Sequence, residues 1–447
     1  MNEKPSDRPD QDSPLDAIAG ELENVIYNQL PSLVEIYQHL HAHPELAGQE
    51  ANTSALLAGE LKACGYQVAE GIGRYRNENW PGYGVIGVLR NGEGPTVLIR
   101  GDMDALPVEE KTGLSYASKA RGINRQGAEV AVMHACGHDV HVASLIGAAR
   151  VLAGMKDSWR GTVVVVGQPA EEGTGGAVAM LEDGAYRHCP RPDYALALHT
   201  TLQLPAGTVG YVPGDFMSSL TEVEVVVRGV GSHGSAPELG KDPIVMAAHL
   251  VLALQTVVSR EKEAFQPAVL TVGTIHGGSA SNVIPEEVQL MLSIRTYDDE
   301  LRDRILVSVE RMAKGLAFAA GLPDHKAPSV RVTNFQPPNY NDPALTERIA
   351  AAMKRTMGEE RVVRNKPVMV SEDFGAWGLG GEIPTCMFWL GGADPLLFER
   401  KKAAGEKMPS LHSPHFAPVP EPTLAGGVKA LVSAVVELLG TPMPPTV

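Results

Sequence analysis

Short apolar runs alternate with stretches of helical periodicity through the first half of this chain, and several of the runs end on residues that bind metals. The apolar runs fall at 85–89, 97–100, 162–167 and 194–199, with helical stretches at 138–152 and 176–183 between them. Strand–helix alternation of this kind predicts a layered α/β sheet, and such sheets bind ligands outside the carboxyl ends of their strands. The second run leads into Gly101-Asp102-Met103-Asp104, the third into Gln168-Pro169-Ala170-Glu171-Glu172-Gly173, and the fourth ends on His199. Between them lies Met133-His134-Ala135-Cys136-Gly137-His138-Asp139-Val140-His141, with one thiol and three imidazoles.

Thiolate, imidazole and carboxylate are transition-metal ligands, and a further free carboxylate is the proton carrier that metal-assisted hydrolysis needs. Cys136 and His138 flank a glycine that permits a tight turn, and they open a helix whose N-terminus favours a thiolate. Glu171 and Glu172 would face opposite ways in a regular strand, but the glycines at 173, 175 and 176 allow both to face one pocket. Taken singly, Asp102 and Asp104 read equally well as turn caps, His199 as the polar end of a strand, and His412 as an exposed loop residue. Their coincidence is what points to a metallohydrolase.

Other classes are disfavoured. A formal net charge of -15 argues against a nucleic-acid or anionic-membrane surface. No uninterrupted apolar run reaches the roughly 18 residues of a membrane span. Four scattered cysteines (64, 136, 189, 386) are no disulfide framework, and the N-terminus has no signal-peptide pattern, so a cytoplasmic location is expected. Residues 1–16, polar and rich in Pro and Asp, read as a disordered tail.

The pattern changes after about residue 216. Strands at 222–229, 268–275 and 288–296 and helices at 243–260 and 299–315 form a β-α-β-β-α segment close to the ferredoxin-like arrangement, nearly free of metal-type ligands. The expected organisation is therefore a mixed-sheet α/β catalytic domain over 17–216 and 331–447, interrupted by an inserted α+β domain over 217–330. The chain returns with a strand at 331–334, a helix at 343–357, a strand at 385–390 and a closing helix at 423–439.

With these motifs in hand, the chain resembles the metallopeptidase family that contains aminoacylase, carboxypeptidase G, hippurate hydrolase and the indole-acetyl-amino-acid hydrolases, and most closely its amidohydrolase branch. The motifs are Arg-Gly-Asp-Met-Asp-Ala-Leu-Pro, His-Ala-Cys-Gly-His-Asp, Gln-Pro-Ala-Glu-Glu-Gly, Asn-Val-Ile-Pro, Ser-Glu-Asp-Phe and Leu-His-Ser-Pro, spread between about residues 33 and 439. The resemblance implies two divalent metal ions, zinc or manganese with cobalt or nickel as alternatives. Cys136 would bridge them, with His138, Glu172, His199 and His412 completing the two ligand sets and Glu171 as general base. It implies that Asp104 supports the site and that Asp102, where the wider family has a ligand histidine, is not a direct ligand. In the insert it assigns His233 to the scissile carbonyl, Asn282 and Arg295 to the substrate carboxylate, and the domain itself to homodimerisation. The sequence departs from the branch in His233-Gly234-Ser235-Ala236-Pro237-Glu238, in Leu292 where a glycine is usual, and in a longer segment over 393–409.

The implied reaction is hydrolysis of an N-acyl amino acid to a carboxylic acid and a free amino acid. Three alternatives stand beside it: a dipeptidase or carboxypeptidase on the same fold, a hydrolase using Cys136 as nucleophile, and a silent metal-stabilised binding protein.

Overall fold

Val163, Val164, Val165 and Val166 follow one another without a polar residue, and the whole strand Gly161–Gln168 is buried. Its neighbour Thr96–Asp102 is buried at every position too. Continuous rather than alternating burial marks parallel strands covered by helices on both faces. The computed structural model describes residues 14–74 and 81–440. These fall into two units, 1–214 with 340–366 and 373–447, and 215–339 with 367–372.

The first unit is built on an eight-stranded mixed sheet. Its strands lie in the order Gln67–Ile72, Gly84–Asn91, Gly161–Gln168, Thr96–Asp102, Tyr194–Pro205, Thr385–Ala393, Val209–Tyr211 and Val362–Arg364. The four from Gly161–Gln168 to Thr385–Ala393 are mutually parallel. They carry their carboxyl ends, and the residues that follow them, to one edge of the sheet. Helices Pro14–Ala42, His138–Gly154 and Pro420–Leu439 pack together over the sheet, their shared core including Leu22, Leu33, Tyr37, Val151, Leu431 and Val435. A Cβ on Gly147 would lie 2.4 Å from Val428 Cγ2, so glycine sets how closely those two helices approach.

In the second unit, Leu220–Arg228 alternates buried and part-exposed residues along its length, the mark of a sheet with one covered face. The antiparallel order is Ala268–Gly277, Glu287–Thr296, Leu220–Arg228, Ser329–Gln336. Helices Pro243–Arg260 and Asp299–Ala319 cover that face around Val225, Leu250, Leu254, Leu290, Ile294 and Ile305. Both helices start on an aspartate whose carboxylate accepts a backbone N–H, Asp242 from Ile244 and Asp298 from Glu300, each at 2.8 Å. In chain order this is β-α-β-β-α-β, the ferredoxin-like arrangement.

Some expectations need correction. The strand expected at 331–334 to re-enter the first unit is part of Ser329–Gln336, which pairs with Leu220–Arg228 and closes the second unit's sheet. The expected tail 1–16 lies outside the described residues up to 13, and from Pro14 the chain is already helical, continuing through Pro31. The segment 393–409 contains an unanticipated helix, Pro395–Ala403, whose Leu397 and Phe398 pack beside Met133, Ala135 and Phe416. Helices Pro243–Arg260 and Pro420–Leu439 are long and apolar enough, by composition, to cross a membrane. The second of them is a core helix of the first unit, with 78% of that window buried, and the first lays one face on the second unit's sheet.

Candidate metal centre

Gly137 takes φ +83°, and a Cβ there would meet Thr200 Cβ at 3.1 Å. Only glycine accepts both conditions, and through it the chain turns from Cys136 into the helix His138–Gly154. His138 Nδ1 donates to the Asp104 carbonyl at 2.7 Å, and its buried Nε2 makes no hydrogen bond among the described residues. His199 Nδ1 donates to the Thr200 carbonyl at 2.9 Å, so in the neutral ring Nε2 is unprotonated, 3.6 Å from Cys136 Sγ. In both rings a carbonyl takes the Nδ1 proton, which leaves Nε2 as the atom a metal would meet.

The two-glutamate turn is held by its backbone. Ala170 sits at φ +57°, Gly173 at +74°, and a Cβ on Gly176 would lie 1.7 Å from the Pro169 carbonyl oxygen. The Asp104 carboxylate accepts the N–H of Glu171 at 3.0 Å and of Glu172 at 2.9 Å. One carboxyl thus fixes two successive peptides, and both glutamates come together with His138, their ligand atoms within 4.8 Å of one another. His412, at φ +65°, donates its backbone N–H to the Ala135 carbonyl at 2.8 Å. That bond docks its loop on the Cys136 segment and brings Nε2 to 3.2 Å from Glu172 Oε1.

Two donor sets result. Cys136, His138 and His199 form one, and Cys136, Glu172 and His412 form the other, each with its ligand atoms within 4.8 Å of one another. The thiol belongs to both. Sulfur, imidazole nitrogen and carboxylate oxygen together suit borderline divalent ions, and the buried His138 Nε2 makes no hydrogen bond among the described residues. The donor set therefore fits a pair of divalent cations.

The electrostatics are those of a site that lacks positive charge. Burial works against a charged His138, yet Asp102, Asp104 and Glu172 raise it to about 10. Burial, followed by the neighbouring histidines, pushes His199 well below its ordinary value and keeps it neutral. Cys136 corrects an expectation. Burial first, then the negative fields of Glu172, Glu171 and Asp102, push its thiol well above the usual range, so the helix N-terminus does not yield a thiolate. Three carboxylates outweigh half a positive charge, and a thiolate here needs a cation beside it.

Asp102 is spoken for. Oδ2 receives Arg100 Nη1 at 2.5 Å and Oδ1 receives His141 Nδ1 at 2.5 Å. Burial opposes its charge, but Arg100, His138 and His141 hold the carboxyl well below its ordinary pKa. His141 Nε2 accepts the Thr200 N–H at 2.8 Å, so both nitrogens of that ring are occupied. Behind Asp102, Arg100 also binds Asp373 and Gln168, each at 2.9 Å, and Trp377 Nε1 donates to Gln168 at 2.9 Å. Sequence reasoning gave no role to Arg100 or Asp373. The available signal was a lone arginine closing an apolar strand, which must find carboxylates when buried.

His233, Asn282 and Arg295 lie in the second unit. His233 Nδ1 accepts from the Ser235 N–H at 3.1 Å and lies 2.7 Å from the Ser235 hydroxyl, so the ring proton sits on Nε2 and points to use as a donor. The Gly234 N–H donates to the Asn282 carbonyl at 2.7 Å, which makes His233 and Asn282 neighbours. Arg295 is half-buried, with Nη1 on the Met369 carbonyl at 3.0 Å.

A family model described as peptidase family M20/M25/M40 matches residues 98–437. N-acetyl-L-cysteine deacetylase of Bacillus subtilis is 37% identical over 349 residues, 76% of this chain and 76% of the relative. Hippurate hydrolase of Campylobacter jejuni is 36% identical over 348 residues, 76% of this chain and 83% of the relative. The solved structure of a dinuclear metal-binding peptidase from Bacillus subtilis aligns with TM-score 0.73 and 26% identity, over 92% of this chain and 99% of that one.

Proposed function

Because the chain belongs to peptidase family M20/M25/M40, we propose that it is a metal-dependent amidohydrolase that splits N-acyl amino acids into a carboxylic acid and a free amino acid. The observation that carries this reading is the pair of donor sets sharing Cys136. Relatives named N-acetyl-L-cysteine deacetylase and hippurate hydrolase support the substrate class. In this reading Cys136, His138, His199, Glu172 and His412 would hold two divalent cations, zinc or manganese. Bound there, the cations would supply Lewis acidity toward the substrate and the attacking water near neutral pH.

The chain's own residues do the rest. Glu171, fixed through its N–H by Asp104, takes the proton from the attacking water and delivers it to the amine nitrogen as the C–N bond breaks. His233, with its proton on Nε2, donates to the carbonyl oxygen as negative charge develops there. Arg295 and Asn282 hold the substrate carboxylate, a planar group that a guanidinium matches. The thiol-hydrolase alternative requires a Cys136 thiolate without metal, the state that burial and three carboxylates oppose. The peptidase alternative differs only in substrate.

Two further proposals accompany this, one on a partner and one on location. The edge strand Ala268–Gly277 is exposed over its second half, and Ile275, Ile244, Val245 and Leu252 expose apolar surface on it and on the adjoining helix. That face supports a homodimer through the second unit. Four free cysteines fit a cytoplasmic location.

The test is a panel of N-acyl amino acids and dipeptides, measured on chelated protein and again after each metal is restored singly. Activity on acyl amino acids that disappears with chelation and returns with zinc or manganese is expected. Activity indifferent to chelation would sink the reading.

A further inference from the structure

Glu50 belongs to none of the metal-binding motifs, yet it is fully buried. It occupies the N-cap position of the helix Ala51–Ala63, but its side chain makes no capping hydrogen bond to that helix. Its Oε1 instead accepts the Gly48 N–H at 2.9 Å and, 120 residues along the chain, the Ala170 N–H at 2.9 Å. Ala170 is one of three non-glycine residues with positive φ among the described residues, and it directly precedes Glu171. A left-handed conformation costs an L-residue about 1–2 kcal/mol, so a contact must hold it.

We propose that Glu50 is a positioning residue for the two-glutamate turn, its carboxyl pinning Ala170 in the left-handed conformation so that Glu171 and Glu172 leave the strand in the directions the centre requires. The inference rests on the roles given above to Glu171 as proton carrier and Glu172 as ligand. Asp104 fixes the peptides of Glu171 and Glu172, and Glu50 fixes the one before them, so three consecutive N–H groups end on two buried carboxyls. Burial, with the charge of Asp104 adding to it, pushes the Glu50 carboxyl up to about 8. At neutral pH it is largely a neutral acid, which an amide reproduces: Glu50→Gln keeps the accepting oxygen and Glu50→Leu removes it.

The experiment compares Glu50→Gln, Glu50→Leu and Glu50→Leu with Ala170→Gly, reading kcat, KM and metal affinity by competition with a chelator. Glu50→Leu is expected to lower kcat and metal affinity by about 10- to 100-fold each, as loss of a ligand-orienting contact commonly does, while KM stays within about twofold. Glu50→Gln stays within about threefold of the parent on both, because the acceptor survives. Adding Ala170→Gly returns roughly tenfold of the Leu loss, because glycine enters the left-handed region without being held. A merely structural role for Glu50 would not respond to a change at Ala170. If Glu50→Leu does not fold, Glu50→Asp, which withdraws the oxygen by one methylene, is expected to show the same loss and the same recovery. Parent-like values for Glu50→Leu, an equal fall in Glu50→Gln, or no recovery with Ala170→Gly would overturn the proposal. A parent that hydrolyses no N-acyl amino acid would refute the functional reading instead, and metal affinity would still decide the role of Glu50.

Discussion

The three histidines at 138, 141 and 199 carry the same side chain and differ in what their second nitrogen does. His138 and His199 each give their Nδ1 proton to a backbone carbonyl and leave Nε2 to the donor sets, whereas His141 spends both nitrogens on Asp102 and Thr200. The sequence shows the imidazoles and their clustering but not these tautomers, because the partners of His138 and His141, at Asp104, Asp102 and Thr200, lie 34 to 59 positions away. Glu171→Gln is expected to retain two metals by metal analysis while kcat falls about 100- to 10,000-fold, the range for losing a general base; parent-like turnover would remove Glu171 from the role. Arg100→Met leaves Asp102 and Asp373 buried without their cation, and should cost about 3–5 kcal/mol in denaturant unfolding. His41 offers a pH test. Burial opposes its charge, but donation to Asp139 at 2.7 Å and to Glu110 at 3.1 Å raises it from 6.5 to about 10. A raised pKa stabilises the fold fully below 6.5 and loses that contribution as pH climbs through about 10. The melting temperature of the parent should therefore exceed that of His41→Gln most at pH 6 and converge on it toward pH 10; a gap that widens with pH would refute this assignment.

Among the elements, the buried parallel strands were legible because continuous Val, Leu and Ile runs have few other folded uses. The helix Pro343–Met357 was readable to its ends, with Asp342 as cap and Gly358 after it. The strand Ser329–Gln336 was legible as a strand but not as a member of the second unit. It is an edge strand with only Gln336 fully buried, so its own pattern names no core, and its partner lies about a hundred positions away. The clasp that Glu50 makes on Ala170 was invisible for a similar reason, since each half of it looks ordinary alone. Helix packing gives a test at this scale. Gly147→Val adds a branched side chain where Val428 and Leu33 already stand within 2.9 Å of a notional Cβ. About 1–3 kcal/mol of destabilisation is expected, read as a lower urea midpoint with an unchanged slope.

At the scale of the whole molecule, the two-unit organisation was legible from the change in pattern near residue 216, while the return point required the pairing partners. Self-association can be tested without touching the centre. Leu252, 69% exposed, and Ile275, 51% exposed, lie on the second unit's outer face. Leu252→Glu with Ile275→Glu should turn a dimer into a monomer in sedimentation velocity while leaving metal content unchanged; an unaltered sedimentation coefficient would place any interface elsewhere. The first unit is also discontinuous in sequence. Thr385–Ala393 slots in beside Tyr194–Pro205 only after the intervening stretch has been made, and His412 arrives later still. On the assignment proposed above, Cys136, His138 and His199 have all emerged from the ribosome long before His412, so the first donor set is complete early while the second stays open until residue 412 is made. A chain terminated short of that residue would then hold one cation and lose the other.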